Sequence, residues 1–364
     1  MALQSPGKDD PLKGSITKYF GQAMTGQGWK NLYKDIVREA KEVYFLKGIF
    51  GFNVSNLLKE IGYHYVNKGH DIEFFYDPLF ENTIQATFIK GIDTLFLQSS
   101  KPSIEPTQLG TRDKVISFYE CLEEPILIKH GERLKQLSEE AEKWHDQCFA
   151  SLQQAIRIHD DWEKETQAHM DWKAYEQQQD EFFDQIFDGM LLNKSGVLTH
   201  RLFGTLTPDG AKDFLQNITR NMDRRYFIKG LPGTGKSTML KKLTQDALKR
   251  GFDVQKVWCG LDSKSIDMVI LPELKLCIFD STAPHEYFPE DGREGDVIFD
   301  ITKHCQLSDE AEAKIEEISK KYRKAILRAT NYAKLYAEAE KEIREIIDQA
   351  TNFSKWKKQS ALLF

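Results

Sequence analysis

The stretch Tyr226–Lys242, YFIKGLPGTGKSTMLKK, decides how this chain is read. Tyr226 to Lys229 is a short apolar run with strand character. It leads into Gly230-Leu-Pro-Gly-Thr-Gly-Lys-Ser237, a full G-x-x-x-x-G-K-[ST] pattern, and an amphipathic helix through about Arg250 follows, closed by Gly251. Each residue type has a physical task. The glycines let the backbone turn tightly and aim several N–H groups at one point. A helix starting at Lys236 puts the positive end of its dipole beneath an anion. Lys236 supplies a cation for β- and γ-phosphates, Ser237 a hydroxyl for Mg2+, and Thr238 a contact near the α-phosphate. The pattern points to nucleotide binding, with Gly230, Pro232, Gly233, Thr234, Gly235, Lys236, Ser237 and Thr238 as the cradle.

A loop of this kind works with a carboxylate at the end of a neighbouring strand. Lys275-Leu-Cys-Ile-Phe-Asp280 provides one, and Asp280 is expected to hold Mg2+ through water, with Ser237 as the other metal-side residue. Val254–Trp258 reads as a further strand, and strands alternating with helices predict a parallel sheet. His285 and Glu286 follow Asp280 on the ligand-facing edge of such a sheet. With Lys236 and Asp280 they are the candidate catalytic residues, positioning water or an acceptor hydroxyl; the alternative is a loop anchored by Pro284 and Pro289. Asp262 and Asp267 can reach the γ-phosphate region. Arg293, in EDGREGD, is a candidate lid arginine or an ordinary solvated residue.

The first half of the chain carries a copy of this pattern. Gly28–Asp71 aligns without a gap on Gly210–Asp253. Gly28 lies over Gly210, Tyr44-Phe45 over Tyr226-Phe227, Lys47-Gly48 over Lys229-Gly230, Gly51 over Gly233 and Ser55 over Ser237. The same register puts Ser99 over Ser281 and Pro102 over Pro284. The working residues are altered: Asn53 stands over Gly235, Val54 over Lys236 and Gln98 over Asp280. The first loop has lost its cation, its metal carboxylate and a glycine where backbone must approach phosphate, so it reads as a P-loop fold kept for packing or regulation. QLSEEAE (Gln136–Glu142) and QLSDEAE (Gln306–Glu312) repeat at a different offset, each read as opening a long charged helical region.

The expected fold class is therefore α/β, with tandem P-loop NTPase-like parallel-sheet cores, each followed by long helices. The expected division is a degenerate core over 1–121, a helical hairpin or coiled-coil region over 122–192, an intact core over 197–305 and a C-terminal helical region over 306–364, with NKSG (Asn193–Gly196) as the link. The helices are expected to pack as amphipathic hairpins on the cores or on each other, with recruitment of a protein partner as the alternative. Intramolecular pairing of the halves follows from the duplication. His159 with Glu163, and Glu165 with His169, are spaced to share a helix face; they can bind metal, or simply pack beside Trp162 and Trp172.

The chain has 364 residues with 40% apolar and 29% charged, which suits a globular protein of two or three domains. A net charge of −6 without a basic block makes nucleic acid a poor partner. The N-terminus MALQSPGKDDPLKG lacks the apolar core of a secretory signal, and no apolar run approaches the roughly 18–20 residues of a membrane span. Five scattered cysteines without a CxxC pair suggest reduced thiols and a cytoplasmic location.

GLPGTGKSTMLKK, DSKSIDMVILPEL (Asp262–Leu274), FDSTAPHEYFP (Phe279–Pro289) and HDDWE (His159–Glu163) together resemble a family of bacterial tandem P-loop proteins described as ATPases or nucleotide kinases. The resemblance spans nearly the whole chain and implies two P-loop modules with ATP as ligand. Family members commonly have a proper loop in both halves, and this chain departs from that at Asn53 and Val54. Three functions are open at this point: a slow Mg-dependent ATPase or ATP-driven switch, a small-molecule or nucleotide kinase, and an interaction scaffold with nucleotide as a structural ligand. Ser281 stands after Asp280 where many ATPases place a water-activating Glu, and no NKxD guanine-reading motif follows the loop.

Overall fold

Runs of β-branched and aromatic residues between charged turns set the strands, and both halves use equivalent runs. The computed structural model describes residues 13–99, 104–283 and 285–364; the N-terminal twelve residues and the pairing of Pro102 with Pro284 lie outside them. The first half contains β1 (Ile16–Phe20), β2 (Gln22–Thr25), β3 (Gly28–Asn31), α1 (Tyr33–Glu39), β4 (Glu42–Lys47), α2 (Asn53–Val66), β5 (Ile72–Asp77), β6 (Phe80–Ile89), β7 (Thr94–Ser99) and β8 (Asp113–Ser117). The helices α3 (Glu124–Lys129), α4 (Gly131–Gln167) and α5 (Trp172–Phe187) follow. The second half repeats the order: β9 (Leu198–Leu202), β10 (Gly204–Thr207), β11 (Gly210–Asp213), α6 (Leu215–Thr219), β12 (Arg224–Lys229), α7 (Lys236–Lys249), β13 (Val254–Trp258), β14 (Ile266–Leu271), β15 (Leu276–Asp280) and β16 (Asp296–Asp300), then α8 (Asp309–Gln349) and α9 (Phe353–Ser360).

Twelve of these strands form one sheet, in the order β16-β12-β15-β14-β13-β9-β1-β5-β6-β7-β4-β8. Read from either edge, equivalent strands occur in the same sequence, so the halves are related by a pseudo-twofold axis between β1 and β9. The seam is antiparallel and pairs Phe20 with Leu202. The sheet is mixed rather than parallel. Three parallel pairings in each half flank an antiparallel strand, β6 or β14, that the sequence reading did not separate from its neighbours. The physical reason is that IDMVIL is buried at every position and so lacks the alternation that marks a half-exposed strand. Beneath the seam, the fully buried Arg201 guanidinium donates to Glu39 at 2.7 Å through both terminal nitrogens and to Glu73 at 2.7 and 3.0 Å.

The long helices are not hairpins. α4 and α8 are each continuous, and they pack against one another antiparallel: Leu137 and Ala141 cluster with Ala339 and Ile346, and Cys148 and Leu152 with Ala329, Ala333 and Ala337. His159 and Trp162 meet Tyr322 at the other end. The two QLSxEAE segments also differ. Ser308 caps the start of α8 through Ala311 N, whereas Ser138 sits inside α4 and donates back to Leu134 O. Each half's tail packs on the opposite half. α5 lays Tyr175, Phe182, Ile186 and Phe187 over Met239, Leu240 and Leu243 of α7. Trp356 of α9 meets Phe50 edge to face and Phe118 at a tilt, both in the first half. Among the described residues no helix is long and apolar enough to cross a membrane.

Candidate functional site

The GLPGTGKS loop leaves the end of β12 and enters α7 at Lys236. Gly233 and Gly235 adopt φ +88° and +90°, backbone that other residues rarely reach, and this curls the loop around its own centre. Thr234 is fully buried and donates through Oγ1 to Leu231 O at 2.8 Å. Lys236 Nζ donates to Gly230 O at 2.5 Å and Leu231 O at 3.0 Å, and lies 3.5 Å from an Asp280 carboxylate oxygen. The lysine and the strand-end carboxylate thus share one spot, as the sequence reading requires. Asp280 also accepts from Thr282 N and Oγ1.

Ser237 has a task that the motif does not reveal. Its Oγ accepts from Ile266 N at 3.0 Å, tying α7 to the start of β14. Ser55 accepts in the same way from Ile84 N at 2.9 Å. This bond explains why the serine is present in both loops although the lysine is not.

A cleft of about 380 Å3 opens over the loop. Pro232, Gly233, Gly235, Lys236, Ser237 and Thr238 form its floor, and Asp262, Asp267, Asp280 and His285 stand on one wall. α4, α5 and α8 supply the other wall, with His159, Glu163, Gln167, Trp172, Tyr175 and Tyr322. Tyr175 OH reaches Gly235 O at 3.4 Å. Burial, reinforced by the nearby Asp280 charge, pushes the Asp267 carboxyl up to about 7. Burial alone would lower His285, but its 2.6 Å bond to Asp213 and the charges of Asp213, Asp267 and Asp280 outweigh this and raise it. Asp213 is held by His285 and by Tyr287 OH at 2.8 Å, and despite its burial stays below the usual carboxylate range. Glu163 is raised, chiefly by burial, with His159 opposing. The cleft therefore combines a fixed cation with carboxyl groups of unequal basicity, an arrangement suited to handling a proton beside a charged ligand.

Not every expected residue faces this space. Glu286 is more than half exposed and points to Lys229 at 3.9 Å, outside the cleft wall. Gly230 and Thr234 shape the loop from behind. Arg293 is no lid: it is tied to Asp296, Glu290 and Met222 O, away from the cleft. His159, Asp160 and Glu163 have ligand atoms all within 4.8 Å of one another, so the α4 pair could hold a cation at the cleft wall. Glu165 instead pairs with Lys314 as well as His169. The sequence reading missed Asp213, Gln167, Tyr175 and Tyr322. Three of these come from helices that cross from elsewhere, and no local pattern marks them.

The first-half loop is built differently. Val54 is buried in the apolar cluster that contains Leu57, Leu58 and Phe96. The backbone N–H groups of Phe52 and Asn53, at the head of α2, donate to the Asp348 carboxylate of α8 at 2.9 and 3.3 Å, and Asn53 Nδ2 donates at 2.6 Å. A side chain on Gly51 would collide with Asp348 and with the Arg344 carbonyl. No family model, curated protein or solved structure matches the chain.

Proposed function

We propose that the second half binds MgATP at Gly230–Thr238 and that the protein is a slow Mg-dependent ATPase or ATP-driven switch, a relative of the bacterial tandem P-loop proteins it resembles. The observation that carries this reading is the meeting of Lys236 and Asp280 at the mouth of a curled glycine loop, 3.5 Å apart at the head of α7. Lys236 and the loop N–H groups suit the phosphates, and the Ser237 hydroxyl and Asp280 carboxylate suit Mg2+. Bound Mg2+ would neutralise phosphate charge. Lys236 would exchange its bonds to Gly230 and Leu231 for the ligand, and Asp267 would accept a proton. The crossed helices would report the occupied state, because α4, α5 and α8 all touch the cleft.

A kinase is the second reading. The observation behind it is Ser281, whose side chain donates to Tyr287 O at the position after Asp280, where many ATPases place a water-activating Glu; a kinase or a slow switch both suit this serine. Incubation with labelled ATP and Mg2+, with and without a metabolite pool, separates the two. Free phosphate alone supports the ATPase; a new phosphorylated compound supports the kinase. Neither product, with no ATP bound, contradicts both.

A further inference from the structure

The two loops are covered by the two long helices in the same manner. At the first loop, the Arg344 carbonyl of α8 abuts Gly51, and Asp348, one turn on, turns its carboxylate into the N–H groups of Phe52 and Asn53. At the second loop, the Glu163 carbonyl of α4 abuts Gly233, the residue equivalent to Gly51. One turn on in α4 is Gln167, which lines the cleft. Gln167 is thus the counterpart of Asp348: one position, a carboxylate over one loop and a neutral amide over the other.

We infer that this helix position controls access to the phosphate seat of each loop, in addition to the lysine and glycine that the first loop has lost. Asp348 fills the phosphate seat of the first loop as a resident anion, and Gln167 leaves the second loop free. The chemistry follows from charge. The head of a helix favours one anion, and a carboxylate already bonded to its N–H groups both occupies the donors and repels a second negative group. It also assigns Asp348 a second effect, that of pinning the far end of α8, whose Tyr322 lies in the wall of the live cleft. The Gln167 part rests on the MgATP reading above; the Asp348 part does not.

Two titrations test it on the full chain. Gln167→Asp should bind MgATP at least about tenfold more weakly than Gln167→Asn, which has the same size without the charge. Equal affinities for the two variants would overturn the gate at position 167. The second titration uses inorganic pyrophosphate in an Asn53→Gly/Val54→Lys/Lys236→Ala background, where the first loop regains a glycine and a cation and the live loop has lost its own, so it does not depend on ATP binding at all. Pyrophosphate should raise the thermal midpoint when Asp348→Ala is added to this background but not that of the background alone, with Asp348→Ser in place of Asp348→Ala if the alanine variant does not fold. The same response with and without Asp348 would overturn the assignment of its carboxylate to the phosphate seat. Failure of wild type to bind MgATP while the pyrophosphate contrast holds would remove the nucleotide reading and leave the resident anion standing.

Discussion

Lys236 has two sets of partners available, and this changes what its removal should do. In the structure its amine holds Gly230 O and Leu231 O, so the side chain closes the loop on itself. Hydrogen bonds to a charged group are worth about 1.5–3 kcal/mol each net of water, and relief of the buried ammonium's desolvation offsets part of their loss, so Lys236→Ala should cost about 1–3 kcal/mol of stability as well as abolish nucleotide binding. Chemical denaturation of the variant without ligand checks the first part, and a MgATP titration the second. Asp280→Asn should weaken the Mg2+ dependence more than nucleotide binding itself; superimposable Mg2+ titrations for variant and wild type would remove Asp280 from the metal side. Asp267 gives a pH prediction. Its carboxyl is raised from 3.8 to about 7, so the folded state holds a proton that the unfolded state has lost between those values. Its contribution to stability is complete below 3.8 and disappears as pH rises through about 7. Asp267→Asn, which stays neutral, should therefore be more stable than wild type at pH 8 by about 1 kcal/mol or more, with the advantage gone near pH 4. Denaturation midpoints across that range decide it.

At the scale of elements, the strand–loop–helix units were legible and the crossings were not. GLPGTGKS announces itself because glycines, a lysine and a serine stand at fixed spacing between an apolar run and an amphipathic helix, and Val254–Trp258 and Leu276–Asp280 were read to within a residue. β14 was not, since a fully buried strand has no alternation. That the two helical regions can pack on each other was legible, but not that single helices α4 and α8 would do so antiparallel: amphipathic helices of Ala, Glu, Lys and Arg specify an apolar stripe but not where along it the partner meets. The contact itself is narrow, with Ala329, Ala333 and Ala337 facing Cys148 and Leu152. Small residues there let the helix backbones approach closely. Ala333→Leu should force them apart and cost about 1–3 kcal/mol, measured by thermal or chemical denaturation. A variant as stable as wild type would mean that the helices repack without cost.

The whole molecule is two copies of one unit joined edge to edge, and its duplication was readable because the identities hold a single register. What the sequence could not convey is how the copies are sewn together. The seam has little direct strand pairing, and the buried Arg201 with Glu39 and Glu73 sits beneath it. Removing the guanidinium leaves two carboxylates facing each other, one of them buried, so Arg201→Met should destabilise by about 3–5 kcal/mol. The same crossing makes the asymmetry between the loops a property of the whole chain. Each half contributes the helix that covers the other's loop, and the carboxylate of Asp348 sits over one while Gln167 sits over the other. The most direct test of this account is the stoichiometry of MgATP binding by calorimetric titration. It predicts one MgATP per chain, lost in Lys236→Ala, and in thermal unfolding a stabilisation of about 2.7 kcal/mol at a hundred times Kd that disappears in the same variant. Two equivalent sites per chain, or tight binding that survives Lys236→Ala, would contradict it.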